Sequence, residues 1–139
     1  MFRSLDHLIL MTRDLSSASS DYSKVFGCKP VWRGVHDDLG TENAIFSFKN
    51  TYLEILAPKK RGVGADFVTS FIDSEGEGLT GLAFQTCDIG RLKEELLEKE
   101  VSTEKIGSGN GFDAHSDKSR SWRNLFFSRS LTSRHVSRE

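Results

Sequence analysis

At 139 residues, with 28% charged side chains and a formal net charge of −1, the chain has room for one ordinary domain with its own core and not for two substantial ones. No apolar run approaches the roughly 18 residues of a membrane-spanning helix, and the balanced charge gives no general attraction to nucleic acid. Two cysteines, Cys28 and Cys87, are too few for a disulfide framework and lack metal-site spacing, so a pair of buried thiols is expected.

The opening MFRSLDHLILM has too short an apolar run for a leader peptide, so a cytoplasmic location is expected. Residues 4–12, SLDHLILMT, alternate so that Leu8 and Leu10 face one way and His7, Ile9 and Met11 the other, the pattern of a strand with one face on a helix. Asp14 is a good N-cap. After it Leu15, Ala18, Tyr22, Val25 and Phe26 recur at helical spacing up to Gly27, a plausible stop. Pro30 to Val35 reads as a short strand. Strands over Thr41–Phe48 and Thr51–Ala57 then flank Lys49 and Asn50, a connection of hairpin length. In the second of these strands Tyr52, Glu54 and Leu56 share one face and Leu53 and Ile55 the other. One carboxylate thus stands in the middle of an apolar strand, at a cost on the order of several kcal/mol unless it is solvated, paired or bound to a cation.

Residues 58–78 change character, with a basic turn, a possible short helix over ADFVTSFI and a flexible acidic run, and read as a linker. Then the opening pattern returns. Residues 79–89, LTGLAFQTCDI, align without a gap on residues 5–15, LDHLILMTRDL, with identities at Leu5/Leu79, Leu8/Leu82, Thr12/Thr86 and Asp14/Asp88. Asp88 caps a second helix whose apolar stripe is Ile89, Leu92, Leu96 and Leu97. Beyond Val101 a strand is expected over Ser102–Ile106, a Gly-rich loop over residues 107–119 and a strand over Ser121–Ser128. Residues 116–139 carry six Lys and Arg against two Asp and Glu, whereas residues 1–115 carry 13 against 18. No aromatic groups or periodicity accompany the Arg residues of 129–139, so that stretch reads as a solvated Ser/Arg-rich tail rather than a nucleic-acid contact.

The order β-α-β-β-β opening on LDHLIL and closing on YLEIL, followed by a second copy, resembles the vicinal oxygen chelate superfamily, the glyoxalase/bleomycin-resistance/dioxygenase group. The run H-x-x-x-G-T-x-N-A followed by YLEILAP looks like its glyoxalase-like domain branch. The resemblance implies an α+β fold of paired βαβββ modules: module one over residues 1–57, the linker over 58–78, and an incomplete module two over 79–128. It also implies a cavity with a divalent metal (Zn, Mn, Fe or Ni) held by a His on the first strand and a Glu on the last strand of each module. The matching residues in module one are His7 and Glu54, with Glu54 doubling as catalytic base. In module two Gly81 stands where His7 does in module one, and the strand that would bring the second carboxylate is missing or replaced. His36, Thr41 and Asn43 match the branch pattern at the cavity rim, and His36, Asn43 and Tyr52 are the candidate substrate contacts.

Each assignment has a structural counterpart. His7 and Glu54 could hydrogen-bond each other inside the sheet, His36, Thr41 and Asn43 could serve the turn, and Trp32 and Tyr52 are more often core than ligand platform. Three functions fit: a metal-dependent lyase, isomerase or dioxygenase acting on a small organic molecule; a metal-free small-molecule-binding protein of the resistance type; and an inactive truncated form. A sheet lacking its last strand exposes an edge and apolar surface, so a homodimer is expected.

Overall fold

The computed structural model describes residues 2–99, 109–111, 120–122 and 124–128. These fall in two compact units, one of residues 8–80 and one built from residues 1–7 and 81–139. Strand β1 (Phe2–Met11) begins in the second unit and ends in the first.

In the unit of residues 8–80, β1 leads into helix α1 (Leu15–Phe26). Asp14 caps it, its side chain accepting from the Ser17 amide at 2.9 Å, and Gly27 ends it in the left-handed region at φ 69°. Strands β2 (Trp32–His36), β3 (Thr41–Ser47) and β4 (Tyr52–Pro58) follow as an antiparallel meander. Lys49 and Asn50 make the expected tight turn, closed by the Phe48 amide donating to the Thr51 carbonyl at 2.9 Å. Strand order in this unit is β2-β3-β4-β1, which leaves β2 at an edge.

Alternation then sorts the side chains as the sequence pattern predicts. Leu10, Ala44, Phe46, Leu53, Ile55 and Ala57 bury against Leu15 and against Ala18, Tyr22 and Phe26 of α1. Met11 and Leu56, one residue out of phase, emerge on the other face.

That other face is met by an element the sequence pattern understates. Residues 58–78 are not a bare linker: Val63–Glu75 is a 13-residue helix, α2. Its Val68, Phe71 and Ile72 pack on Met11 and Leu56. Gly62 at its N-cap has no side chain with which to cap it. The Leu39 carbonyl does so instead, accepting from the Gly64 and Ala65 amides at 3.0 Å each.

In the other unit the first part of β1 lies beside β5 (Gly78–Thr86), which in turn pairs with β8 (Asn124–Ser128) in antiparallel register. Phe2 and Phe84 pack with tilted rings, their centroids 5.0 Å apart. Helix α3 (Ile89–Glu98) starts at Asp88 as expected. Leu92 and Leu96 are buried with Ile89 against them, while Leu97, assigned to the apolar stripe, is exposed. Short strands β6 (Gly109–Gly111) and β7 (Arg120–Trp122) pair with each other, so the strand read over Ser121–Ser128 is two strands in two sheets. The strand expected over Ser102–Ile106 and the tail over 129–139 lie outside the described residues.

The internal repeat is visible at atomic level. The Asp14 amide donates to Thr12 Oγ1 at 3.3 Å and the Asp88 amide to Thr86 Oγ1 at 3.3 Å. Asp88 accepts from the Arg91 amide at 3.0 Å, as Asp14 does from Ser17. Two strand-to-helix junctions use the same residues for the same bonds. The architecture is α+β. One expectation fails outright: Cys28 and Cys87 are both exposed, because each lies just beyond the packed part of its element.

Candidate functional site

Glu54 stands at the centre of β4, half-buried, on the face turned away from α1, since its neighbours Leu53 and Ile55 belong to the α1 core. The register sets Trp32, Ile45 and Glu54 side by side across three strands, with Gly34, Asn43 and Leu56 in the next row and His36, Thr41 and Pro58 in the one after. Diagonally across that lattice Asn43 Nδ2 donates to Glu54 Oε1 at 2.7 Å. A carboxylate only accepts, so the amide nitrogen must be the end of Asn43 that meets it. The other end, Oδ1, is buried with no partner among the described residues. Such an unmet acceptor costs about 1–3 kcal/mol. Asn43 is therefore committed to holding Glu54, at a cost to its own surroundings.

Two further candidates divide. His36 is held by Thr41, its register partner, through Nδ1 and Oγ1 at 2.9 Å. This pair closes the β2–β3 connection, where the Leu39 and Gly40 amides both donate to the His36 carbonyl. Tyr52 is 4% exposed and belongs to the buried set, while Trp32 is 53% exposed. The general expectation that strand aromatics are core thus holds for Tyr52 and fails for Trp32, whose strand is at the sheet edge.

His7 belongs to the other unit, where the sequence reading missed its partners. Asp6 Oδ2 lies 2.7 Å from His7 Nδ1, and Gln85 Nε2 donates to Asp6 Oδ1 at 2.6 Å. Asp6 and His7 are each 7% exposed. The available signal was Asp6 itself, an acid beside a histidine on a strand whose neighbours are apolar. Among the described residues no group of three or more His, Cys, Asp or Glu side chains is arranged to hold a metal ion. A groove of about 610 Å³ runs along α1, lined by Ser16, Ser19, Ser23, Lys24, Cys28 and Arg33 among others. It lies on the α1 side of the meander and does not include Glu54.

The sequence matches the model of the glyoxalase-like domain over residues 5–137. The chain belongs to that family. It is thereby a member of the vicinal oxygen chelate superfamily, and its fold agrees with structures of that group. A methylmalonyl-CoA epimerase variant from Streptomyces coelicolor, in complex with 2-nitronate-propionyl-CoA, is 19% identical with a TM-score of 0.63, over 80% of this chain and 79% of that one. The methylmalonyl-CoA epimerase from Mycobacterium tuberculosis is 22% identical with a TM-score of 0.61, over 85% and 76%. A hypothetical protein from Bacillus halodurans C-125 is 18% identical with a TM-score of 0.66, over 84% and 80%. No curated protein is significantly similar in sequence. At these identities the likeness establishes the fold. Among the described residues no helix is long and apolar enough to cross a membrane.

Proposed function

We propose that this glyoxalase-like domain is an enzyme that moves a proton on a small carbonyl compound, an isomerase or lyase reaction, with Glu54 as the proton-accepting group and His7 as a second functional residue. The observation that carries the reading is the Asn43–Glu54 hydrogen bond. A carboxylate kept half-buried on an apolar strand and fixed by a buried amide is oriented before substrate arrives, which is what a general base requires. The epimerases with the same fold, whose complexes hold CoA esters, support the isomerase form over the dioxygenase one. His36, Asn43 and Tyr52 are proposed to shape the substrate's surroundings.

His7 and Glu54 offer an imidazole and a carboxylate, donors that suit Zn²⁺, Mn²⁺, Fe²⁺ or Ni²⁺, and such an ion would polarise a substrate oxygen. Among the described residues two donors fall short of a catalytic set, and Gly81 supplies none. Gly81, standing where the counterpart of His7 would be, favours a second reading, a metal-free protein that binds a small molecule.

Two measurements separate the readings. The first is elemental analysis of wild type, His7→Ala and Glu54→Ala after reconstitution. The second is exchange of the α-proton of methylmalonyl-CoA in D₂O followed by NMR, with Glu54→Gln as control. Exchange lost in Glu54→Gln supports the enzyme. No exchange with and without added metal overturns it for this thioester, and a thermal shift by the same compound without metal then favours the binding protein. The exposed edge strand β2, carrying Trp32 and Val35 with Val31 just before it, supports a homodimer as the working assembly. Sedimentation showing a monomer at micromolar concentration would remove that proposal.

A further inference from the structure

We infer that Asp6 and Gln85 are positioning residues that set which nitrogen of His7 carries the proton, an inference that rests on reading His7 as a functional residue. The argument starts at Ser4, whose hydroxyl donates to Gln85 Oε1 at 3.1 Å. With its oxygen engaged there, the Gln85 carboxamide turns its nitrogen to Asp6 and donates to Oδ1 at 2.6 Å. The second carboxylate oxygen, Oδ2, meets His7 Nδ1 at 2.7 Å. Asp6 is almost wholly buried. A carboxylate at that depth is tolerated because both oxygens accept from donors.

Each link has one polarity. Gln85 presents its donor end, Asp6 only accepts, and the hydrogen between Asp6 and His7 therefore belongs to Nδ1. Whenever the imidazole is neutral its lone pair is on Nε2. The carboxylate also holds the ring in one orientation, as the partners behind ligating histidines do. Residues 79 apart in sequence, Asp6 on β1 and Gln85 on β5, thus act on one ring. Neither is proposed to touch substrate.

The test is long-range ¹H–¹⁵N correlation NMR on the metal-free full chain labelled at histidine, about two pH units above the ordinary histidine value, with His7→Gln to assign the signal. Wild type is expected to show a protonated Nδ1 and an unprotonated Nε2. In Asp6→Asn the carboxamide can offer either its oxygen or its NH₂ to the ring, so the single tautomer gives way to a mixture and both shifts move toward their mean. A wild-type ring protonated on Nε2, or an Asp6→Asn spectrum unchanged from wild type, overturns the inference. Should Asp6→Asn fail to fold, the wild-type tautomer decides, with Gln85→Leu as the second variant. Loss of its donor loosens Asp6 and broadens the His7 signals, and unaltered line widths count against a role for Gln85. Because the spectrum is read without metal or substrate, the two proposals fail separately. The expected tautomer with no exchange of methylmalonyl-CoA keeps the positioning role and sinks the enzyme, and exchange with an Nε2-protonated ring does the reverse.

Discussion

Gly34→Ala is the substitution whose sign the structure decides. Strand glycine is ordinarily a weak choice, and alanine there should stabilise by about 0.5–1 kcal/mol on backbone entropy alone. At Gly34, however, a Cβ would lie 2.8 Å from Asn43 Oδ1 and 2.8 Å from Trp32 Nε1. Both separations are inside van der Waals contact, and the two neighbours differ in their freedom to yield. Trp32 is half exposed and can turn into solvent, whereas Asn43 is 5% exposed and tied to Glu54. The strain therefore falls on the Asn43–Glu54 pair. Overpacking of this kind costs about 1–3 kcal/mol, so the expected result is net destabilisation, read as the urea midpoint at unchanged slope. A double-mutant cycle locates the cause. In an Asn43→Ala background the cost of Gly34→Ala should fall by about 1 kcal/mol or more, and in a Trp32→Ala background by clearly less. A stabilised Gly34→Ala protein, or equal coupling to both neighbours, would refute the reasoning.

The matched junctions make a second prediction: Asp14→Ala and Asp88→Ala should each cost about 0.5–2 kcal/mol and speed amide exchange at Ser17 and Arg91 respectively. A cap that can be removed without either effect is not the one described. A third concerns pH. The Lys60 ammonium, first by its hydrogen bond and then by its charge, holds the exposed Asp37 carboxyl below the usual carboxylate range. A group depressed in the folded state contributes stability above its unfolded value and loses it as pH falls through the folded one. The contribution of Asp37 should accordingly disappear only in the acid range below an ordinary aspartate titration. Carboxyl NMR should find Asp37 titrating low in wild type and moving up toward the ordinary range in Lys60→Met. An ordinary titration in wild type would discard the ion pair.

Much of the architecture was legible because it is local. Asp14 and Gly27 bracket α1, Thr86 and Asp88 announce α3 by repeating Thr12 and Asp14, and the two-residue gap at Lys49-Asn50 admits only a tight turn. Period-two alternation was enough to separate Leu53 and Ile55 from Glu54, and so to single out that carboxylate. What escaped was whatever depends on partners distant along the chain. Helix α2 is capped by the carbonyl of Leu39, 25 residues before Gly64 and invisible from Gly62. The exposure of Trp32 follows from the edge position of β2, which residue type does not reveal. Asn43 meets Glu54 only because of the β3–β4 register, and Asp6 meets Gln85 only because β1 and β5 lie side by side. Alternation and capping act over a few residues and are written in them. The polarity of a hydrogen bond across a sheet depends on which strands are neighbours, and tertiary packing alone sets that.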